Sequence, residues 1–169
     1  SPNFLSLTNI SDLFDTSPYS IARASNMNNE YKSLFPNQLL LIPVTCGCTG
    51  NLSYAKSKYV IKQGDSYYLL TTTSFENLAD WQLVKYLNPD LNPFLLPVGV
   101  EVFIPLFCRC PSTYQLNKGI QYLITYVWQP NDNVSLVTAK FGAYPADVIT
   151  ENNFSQKFTT ANNLPILIP

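Results

Sequence analysis

A repeated segment that combines proline and cysteine constrains the fold of this chain more than any other feature. An apolar stretch ends in Ile-Pro and is followed, after two residues, by Cys-x-Cys; it reads IPVTCGC at 42–48 and IPLFCRC at 104–110. A third Ile-Pro lies at 168–169, so the three prolines are 62 and 64 residues apart. Regular spacing of this kind indicates an internal repeat rather than one large domain.

A second marker, an asparagine, lies 17 residues before each proline. The pairs are Asn26 and Pro43, Asn88 and Pro105, and Asn152 and Pro169. Two markers at one offset in three places predict three copies of one small module, with the Cys-x-Cys pairs at the two joints. We place the modules at 1–45, 58–107 and 120–169.

The four cysteines indicate how such small modules are held together. A unit of roughly 45 residues buries too little apolar surface to be very stable alone. Cysteines at both joints suit disulfides formed in an oxidising compartment. The alternative is a zinc site built from two Cys-x-Cys pairs, but zinc ligands are usually spaced by two to four residues and the chain has no histidine. We therefore expect no metal and no cofactor.

Composition excludes some partners and favours others. Only 12% of the residues are charged and the net charge is −1, so nucleic acid is a poor partner. The eleven tyrosines suit polar ligands that stack on rings, such as sugars. The most apolar stretch, 93–107, is broken by prolines and Glu101 and is too short to cross a bilayer. We expect any membrane attachment to come from a transmembrane segment that this sequence lacks.

Four asparagines fit the acceptor pattern Asn-x-Ser/Thr for N-linked glycans. They are Asn9, Asn51, Asn133 and Asn153. Their number is close to what chance gives in a chain so rich in asparagine, serine and threonine. They are compatible with secretion and add mild support to the inference that the cysteines form disulfides in an oxidising compartment.

The middle module predicts an α+β fold with the order strand, helix, helix, strand. Gly64, Asp65 and Ser66 form a turn signal that can cap the following helix. That helix has a low intrinsic propensity to form because three of its residues are β-branched threonines. The two strands are expected to pair antiparallel, with both helices on one face of the sheet. The predicted bounds are 58–62, 67–74, 77–87 and 100–104.

The other two modules follow the same plan with one exception. The third predicts strands at 121–127 and 165–168 around helices at 133–141 and 146–151. In the first, Ser1 aligns with Gln63, so its opening strand is expected upstream of this sequence. Trp81 and Trp128 are expected to fill cores.

The most specific stretches are YVIKQGDSYYLLTTTSFENL at 59–78, LNPDLNPFLLPVGVEVFIPLFCRCP at 87–111 and SIARASNMNNEYKSLFPNQLLLIPVTCGC at 20–48. Together they resemble the LysM modules in the ectodomains of plant LysM receptor-like kinases, in the subgroup that perceives Nod factors. The resemblance covers the whole chain. It implies a three-module cloverleaf braced by three disulfides.

The resemblance also implies a disulfide pairing. Cys46 and Cys108 would bond to each other, whereas Cys48 and Cys110 would bond to an upstream CxxxC motif. This sequence lacks that motif. Cys48 and Cys110 are therefore expected to be unpaired or joined to each other.

By the same resemblance, N-acetylglucosamine oligomers would lie between the loop after the first strand and the loop before the second. Several of these residues also have structural roles that require no ligand. Gly64 is expected to adopt a positive φ, and Asp65 is expected to cap the helix. One of Tyr67 and Tyr68 must point into the core. Some leucines in the second loop should plug the core, and an exposed subset would bind a fatty acyl chain. The candidate ligand-binding residues are Gln63, Gly64, Asp65, Ser66, Tyr67, Asp90, Leu91, Asn92, Phe94 and Leu95.

The resemblance implies an extracellular ligand-binding region at the plasma membrane that recognises lipochitooligosaccharides, or related chitin oligomers, with a second LysM receptor kinase as co-receptor. Two alternatives are a chitin-oligomer immune receptor and a co-receptor surface that binds no sugar. A cell-wall hydrolase is disfavoured because the repeat accounts for all three modules and no histidine is present to act as a base.

Overall fold

The computed structural model describes residues 6–30, 33–36, 38–49, 52–153 and 161–169. Helices and short antiparallel strands alternate along the chain in an α+β arrangement. The helices are α1 (Leu7–Phe14), α2 (Pro18–Ala24), α3 (Tyr67–Leu69, continued by a π-helical turn at Leu70–Ser74), α4 (Trp81–Leu87), α5 (Thr113–Asn117), α6 (Val134–Phe141) and α7 (Pro145–Glu151). The strands are β1 (Cys46–Thr49), β2 (Leu52–Val60), β3 (Glu101–Phe107), β4 (Ile124–Val127) and β5 (Pro165–Ile168).

The central sheet has three strands in the order β1-β2-β3, all antiparallel. The pairing of β2 with β3 confirms the predicted sheet of the second module, but β2 begins at Leu52 rather than Lys58. The extension arises because the first Cys-x-Cys joint folds back as β1 and pairs with the start of β2, Cys46 lying opposite Ala55. A joint predicted as a connection is therefore part of the sheet.

The first helix of the second module covers the predicted span but changes its hydrogen-bonding pattern. Its second half is a π-helical turn. The hydroxyls of Thr71 and Thr72 donate to the carbonyls of Tyr67 and Tyr68, at 3.0 and 2.7 Å. Threonines that bond back to the preceding turn loosen a regular α-helix, which explains the departure.

The second helix of this module starts four residues later than predicted. Asp80 caps it by accepting a hydrogen bond from the Leu83 amide at 2.9 Å. Trp81, the first helical residue, is 39% exposed, so the prediction that it fills the core is wrong. Val84 is fully buried, and Trp128 in the third module is only 2% exposed, as predicted.

The third module forms its own two-stranded sheet from β4 and β5, with α6 and α7 between them in the chain. Asn133 caps α6 and Gly142 ends it with a φ of 67°. The observed helices and β5 agree with the predicted bounds to within one residue. The first strand begins later, at Ile124.

The repeated asparagine is a clamp between the end of the second helix and the closing strand. The Asn88 amide donates to the carbonyls of Val84 and Phe103 at 2.7 and 2.8 Å, and its Oδ1 accepts from the Phe103 amide at 2.9 Å. Asn152 makes the same three bonds to Val148 and Leu167, at 2.7–2.8 Å. The clamp explains why the asparagine keeps a fixed distance from the Ile-Pro.

In the first module the clamp is made by Ser25 rather than by Asn26. The Leu41 amide donates to Ser25 Oγ at 2.8 Å, and the Ser25 hydroxyl donates to the Leu41 carbonyl at 3.4 Å. Asn26 takes a φ of 55° just beyond the helix. The spacing pattern located the clamp to within one residue.

Among the residues that the structure describes, the buried apolar side chains form two cores rather than three. The first and second modules share one core. Phe14 of α1 packs edge-on against Phe75, with 5.7 Å between the ring centroids. The Ser57 hydroxyl donates a hydrogen bond to the Leu13 carbonyl at 2.5 Å. The third module has its own core around Trp128 and Val148. Within 6–30, 33–36 and 38–45 the first module forms no strand, so its helices pack on the sheet of the second.

Two disulfides hold the first joint to the second. Cys46 bonds to Cys108, the pair that the resemblance implied, and Cys48 bonds to Cys110, one of the two alternatives left open. The Cα–Cα distances are 6.0 and 6.1 Å, ordinary for disulfides. All four sulfurs are thus bonded in pairs, and none is a thiolate that could bind zinc.

Candidate functional site

The two candidate loops of the second module leave the same end of the central sheet. Val60, the last residue of β2, pairs with Glu101, the first of β3. Beyond that pair, the Ile61 amide donates to the Val100 carbonyl at 2.9 Å and the Gly99 amide donates to the Ile61 carbonyl at 2.8 Å. The sheet therefore brings the bases of both loops together.

The first loop is a tight turn with an exposed tip. The Asp65 amide donates to the Lys62 carbonyl at 3.2 Å, and the Lys62 amide donates to Asp65 Oδ2 at 2.7 Å. Gly64 takes a φ of 88°, which an L-residue adopts only with strain. Ser66, not Asp65, caps the helix by accepting from the Leu69 amide at 3.2 Å. Gln63 and Gly64 are exposed, so their backbone is open to a ligand.

Tyr59 and Asp65 interact with each other and stabilise this turn. Burial raises the pKa of Tyr59 to about 12, and the neighbouring Asp65 carboxylate adds to the shift. The Lys62 ammonium lies 5.6 Å from the Tyr59 ring centroid. Asp65 therefore accepts hydrogen bonds that hold the turn closed, which assigns it a structural role there.

Tyr67 and Tyr68 divide as the sequence required, one inward and one outward. The side chain of Tyr67 is buried, so its ring is not available to stack on a sugar, contrary to its inclusion among the candidate contacts. Its hydroxyl has no hydrogen-bond partner among the described residues, and burial raises its pKa. Tyr68 is 60% exposed, so its ring is accessible from solvent.

The second loop separates its apolar residues into buried and exposed sets. Leu91 and Leu96 pack against the shared core. Phe94, Leu95 and Val98 are 93%, 76% and 66% exposed, and we call these three residues the apolar strip. Val98 was not among the predicted site residues; its place between Pro97 and Gly99, in a turn before β3, was the available signal.

Asn92 orders this loop. Its Oδ1 accepts a hydrogen bond from the Phe94 amide at 3.0 Å, and its carbonyl accepts from the Leu95 amide at 3.0 Å. The apolar strip is therefore presented by a hydrogen-bonded turn. Asp90 is exposed at the start of the same loop.

Two surface hollows lie away from these loops. One of about 790 Å³ lies beside the first joint and includes Asp15, Tyr54 and Lys56. The other, of about 320 Å³, is lined by residues of all three modules, among them Leu34, Phe75 and Tyr126. The candidate site is thus an open surface between two turns rather than either of these hollows.

The glycan acceptors have different surroundings. Asn9, Asn133 and Asn153 are exposed, Asn9 on α1, Asn133 at the start of α6 and Asn153 just after α7. Asn51 lies outside the described residues. The exposure of the first three is compatible with N-linked glycans, which stays a prediction.

Three family models match successive parts of the chain. The NFP/LYK LysM1 domain matches residues 1–49, the NFP LysM2 domain 52–107 and the NFP LysM3 domain 122–169. The chain belongs to the plant LysM receptor-like kinase ectodomains, in the NFP group. As such a chain it is a ligand-binding region and not a catalytic one.

Curated relatives match the chain at low sequence identity. Protein LYK5 of Arabidopsis thaliana is 26% identical over 99% of this chain and 26% of its own length. Chitin elicitor receptor kinase 1 of the same plant is 22% identical over 74% of this chain and 20% of its own length. The chain thus spans about a quarter or less of these two proteins.

Solved structures show the same fold. The crystal structure of a receptor-like kinase ectodomain superposes with a TM-score of 0.82 at 20% identity, covering 99% of this chain and 86% of that one. The crystal structure of the LYK3 ectodomain superposes with a TM-score of 0.78 at 20% identity, covering 99% of this chain and 84% of that one. Among the described residues, no helix has both the length and the apolar character needed to span a membrane.

Proposed function

We propose that this chain is the extracellular ligand-binding region of a plant LysM receptor and that its second module binds N-acetylglucosamine oligomers between loops 63–67 and 90–95. The exposed backbone at Gln63 and Gly64 offers hydrogen-bonding groups for acetamido sugars. Tyr68 offers an exposed ring beside the same turn. The name of one relative, chitin elicitor receptor kinase 1, supports this ligand class.

The favoured ligand within this class is a lipochitooligosaccharide, a Nod factor, recognised for symbiosis signalling. The observation that carries this choice is the apolar strip: Phe94, Leu95 and Val98 are mostly exposed. They belong to the loop whose base is hydrogen-bonded to the base of the turn at 62–66, which we call the saccharide turn. An unlipidated oligomer offers these side chains only its acetamido methyl groups and the faces of its sugar rings, whereas an acyl chain is long enough to cover the whole strip. Burying an acyl chain contributes about 0.8 kcal/mol per methylene before the cost of ordering it.

The receptor context follows from the family. We place the chain on the extracellular face of the plasma membrane, with the transmembrane segment and any kinase domain elsewhere in the protein. A second LysM receptor kinase would act as co-receptor. A plain chitin-oligomer receptor is the alternative, and the same relative supports it.

The test is a titration of two chitin oligomers of equal length, one acylated and one not, by biolayer interferometry. The wild-type chain is expected to bind the acylated oligomer more tightly. Leu95→Asp should weaken that binding by about tenfold or more, because one leucine contact is worth about 1.5–3 kcal/mol. It should leave the unlipidated oligomer unchanged.

Leu136→Asp is the matched control. Leu136 is 63% exposed on α6 of the third module, and the same change there should leave both affinities unchanged. Leu91, which the sequence also placed among the candidate ligand-binding residues, is unsuitable for this test because it packs against the core and a charge there would destabilise the fold. Equal affinity of wild type and Leu95→Asp for the acylated oligomer would contradict acyl-chain binding by the apolar strip.

A further inference from the structure

The third module contains a turn built in the same way as the saccharide turn of the second. Asp132 Oδ2 accepts hydrogen bonds from the Gln129 amide at 2.8 Å and from the Tyr126 hydroxyl at 2.7 Å. Asp65 accepts from the Lys62 amide in the second module and lies beside Tyr59. The two turns therefore hold corresponding positions in their modules.

The residue that follows differs in its chemistry. Ser66 caps the first helix of the second module, and Asn133 caps α6 in the third by accepting from the Leu136 amide at 2.9 Å. Asn133 also begins the acceptor sequence Asn133-Val134-Ser135. The cap uses Oδ1, whereas an N-linked glycan is attached to Nδ2, so one side chain can serve both roles.

The residue after the clamp of the third module is another acceptor. Asn152 and Asn88 make equivalent clamps, and in the second module the residue after the clamp is Pro89, which directly precedes the loop 90–95. In the third module that residue is Asn153, which is exposed and starts Asn-Phe-Ser. Neither loop of the second module, 63–67 or 90–95, contains an acceptor sequence.

We propose that N-linked glycans on Asn133 and Asn153 cover the third module where it corresponds to the saccharide site of the second, and so confine oligosaccharide binding to the second module. A glycan is bulky, and one attached at the helix cap occupies the space that a bound sugar needs beside the turn. The proposal rests on the proposed function of the second module. It makes the receptor monovalent although its fold is repeated.

The first test removes the glycans without removing the caps. Ser135→Ala keeps Asn133 as the helix cap, and Asn153→Asp suits the φ of 52° at that position. Glycopeptide mass spectrometry of the chain secreted from plant cells should find both asparagines occupied. Calorimetric titration with an N-acetylglucosamine oligomer should give one bound oligomer per wild-type chain and two per double variant. Unoccupied asparagines, or one bound oligomer in both proteins, would overturn the proposal.

The second test moves the acceptor into the second module. Ser66→Asn with Tyr68→Ser creates the sequence Asn-Tyr-Ser at the cap that corresponds to Asn133. The reference is Tyr68→Ser alone, which loses the same exposed ring but has no acceptor. The glycosylated variant should bind the oligomer at least about tenfold more weakly than this reference, a difference of about 1.4 kcal/mol, and enzymatic removal of the glycan should restore the affinity of the reference. Equal binding of the two forms would refute masking at this position. Loss of binding by the wild-type chain itself would instead refute the proposed function.

Discussion

The second and third modules close corresponding turns with the same hydrogen bonds and yet present different backbones at the tip. In the second, Gly64 has a φ of 88° under an Asp65-to-Lys62 hydrogen bond, as in a type II turn. In the third, Pro130 and Asn131 have no positive φ under the equivalent bond from Asp132 to Gln129, as in a type I turn. The hydrogen bonds that close the turn are therefore the same in both modules, while the backbone conformation at the exposed tip differs.

The two modules also differ in how they are supported. The second shares its core with the first and is enclosed by both disulfides. The third has a separate core and is joined to the rest by polar contacts. Thr125 Oγ1 donates to the Phe107 carbonyl at 2.8 Å, and Glu151 accepts from Arg109 at 3.0 Å and from Gln115 at 2.7 Å. The proposed binding module is thus the more heavily cross-linked one.

The largest effect is expected from removing both disulfides. Each bond joins residues 62 apart and encloses the second module, and opening such a loop costs about 4 kcal/mol in the chain-entropy account. Replacing all four cysteines by alanine should lower the free energy of unfolding of the first two modules by about that amount. Urea denaturation monitored by hydrogen exchange of each module gives the measurement, and the third module should lose much less protection.

Removing only one disulfide should cost far less. Both bonds close nearly the same loop, so the second adds little closure entropy once the first is present. Cys46→Ala with Cys108→Ala is the appropriate pair. A loss from this pair as large as from the quadruple variant would show that the two bonds do not act on one shared loop.

The clamps are the next largest contributors and are directly comparable. Asn88→Ala and Asn152→Ala each remove three hydrogen bonds and leave the partners in the closing strand unpaired. We expect a loss of about 2–3 kcal/mol in each module. Ser25→Ala, which removes the clamp of the first module, should cost about 1 kcal/mol. Thermal denaturation of the three variants checks this order, and a neutral Asn88→Ala would contradict the clamp.

A smaller effect distinguishes the two turns. Gly64→Ala should destabilise the second module by about 1 kcal/mol, because the added Cβ meets no atom within 4 Å and only the positive φ opposes it. Asn131→Ala, in the turn without a positive φ, should be nearly neutral. Equal losses in the two variants, measured by chemical denaturation, would mean that the turn types do not differ.

The smallest effect is a dependence on alkaline pH. The pKa of Tyr59 is raised above the ordinary value of 10 to about 12, so the folded state favours the neutral phenol. Its contribution to stability is complete below pH 10 and is lost as pH rises through 12. Tyr59→Phe should flatten this part of the pH–stability curve. An unchanged curve would contradict the predicted burial of the phenol.

The repeat predicted much of this architecture because each copy carries the same local signals. The cap at Ser66, the fixed distance of the repeated asparagine from the Ile-Pro, and β5 follow from turn residues and spacing. Asn133 was predicted as the first residue of its helix and is the cap that precedes it. The shared core did not follow, because the contact of Phe14 with Phe75 spans 61 residues and has no local signature.

Within the site, the sequence predicted the loops better than the side chains that face outward. It required one of Tyr67 and Tyr68 to point inward but not which one. It placed Trp81 inside a helix predicted from residue 77, whereas Trp81 is the first residue of the observed helix. Orientation at a helix start depends on where the cap lies, and Asp80 was not identified as the cap.

The central claim is that an oligosaccharide binds the second module between its two loops and not the third. Hydrogen exchange of the glycosylated chain, with and without a saturating N-acetylglucosamine oligomer, tests it directly. We expect added protection in peptides that cover 63–67 and 90–95 and none in the peptide that covers 129–133. Protection at 129–133 with no change in the second module would contradict the account.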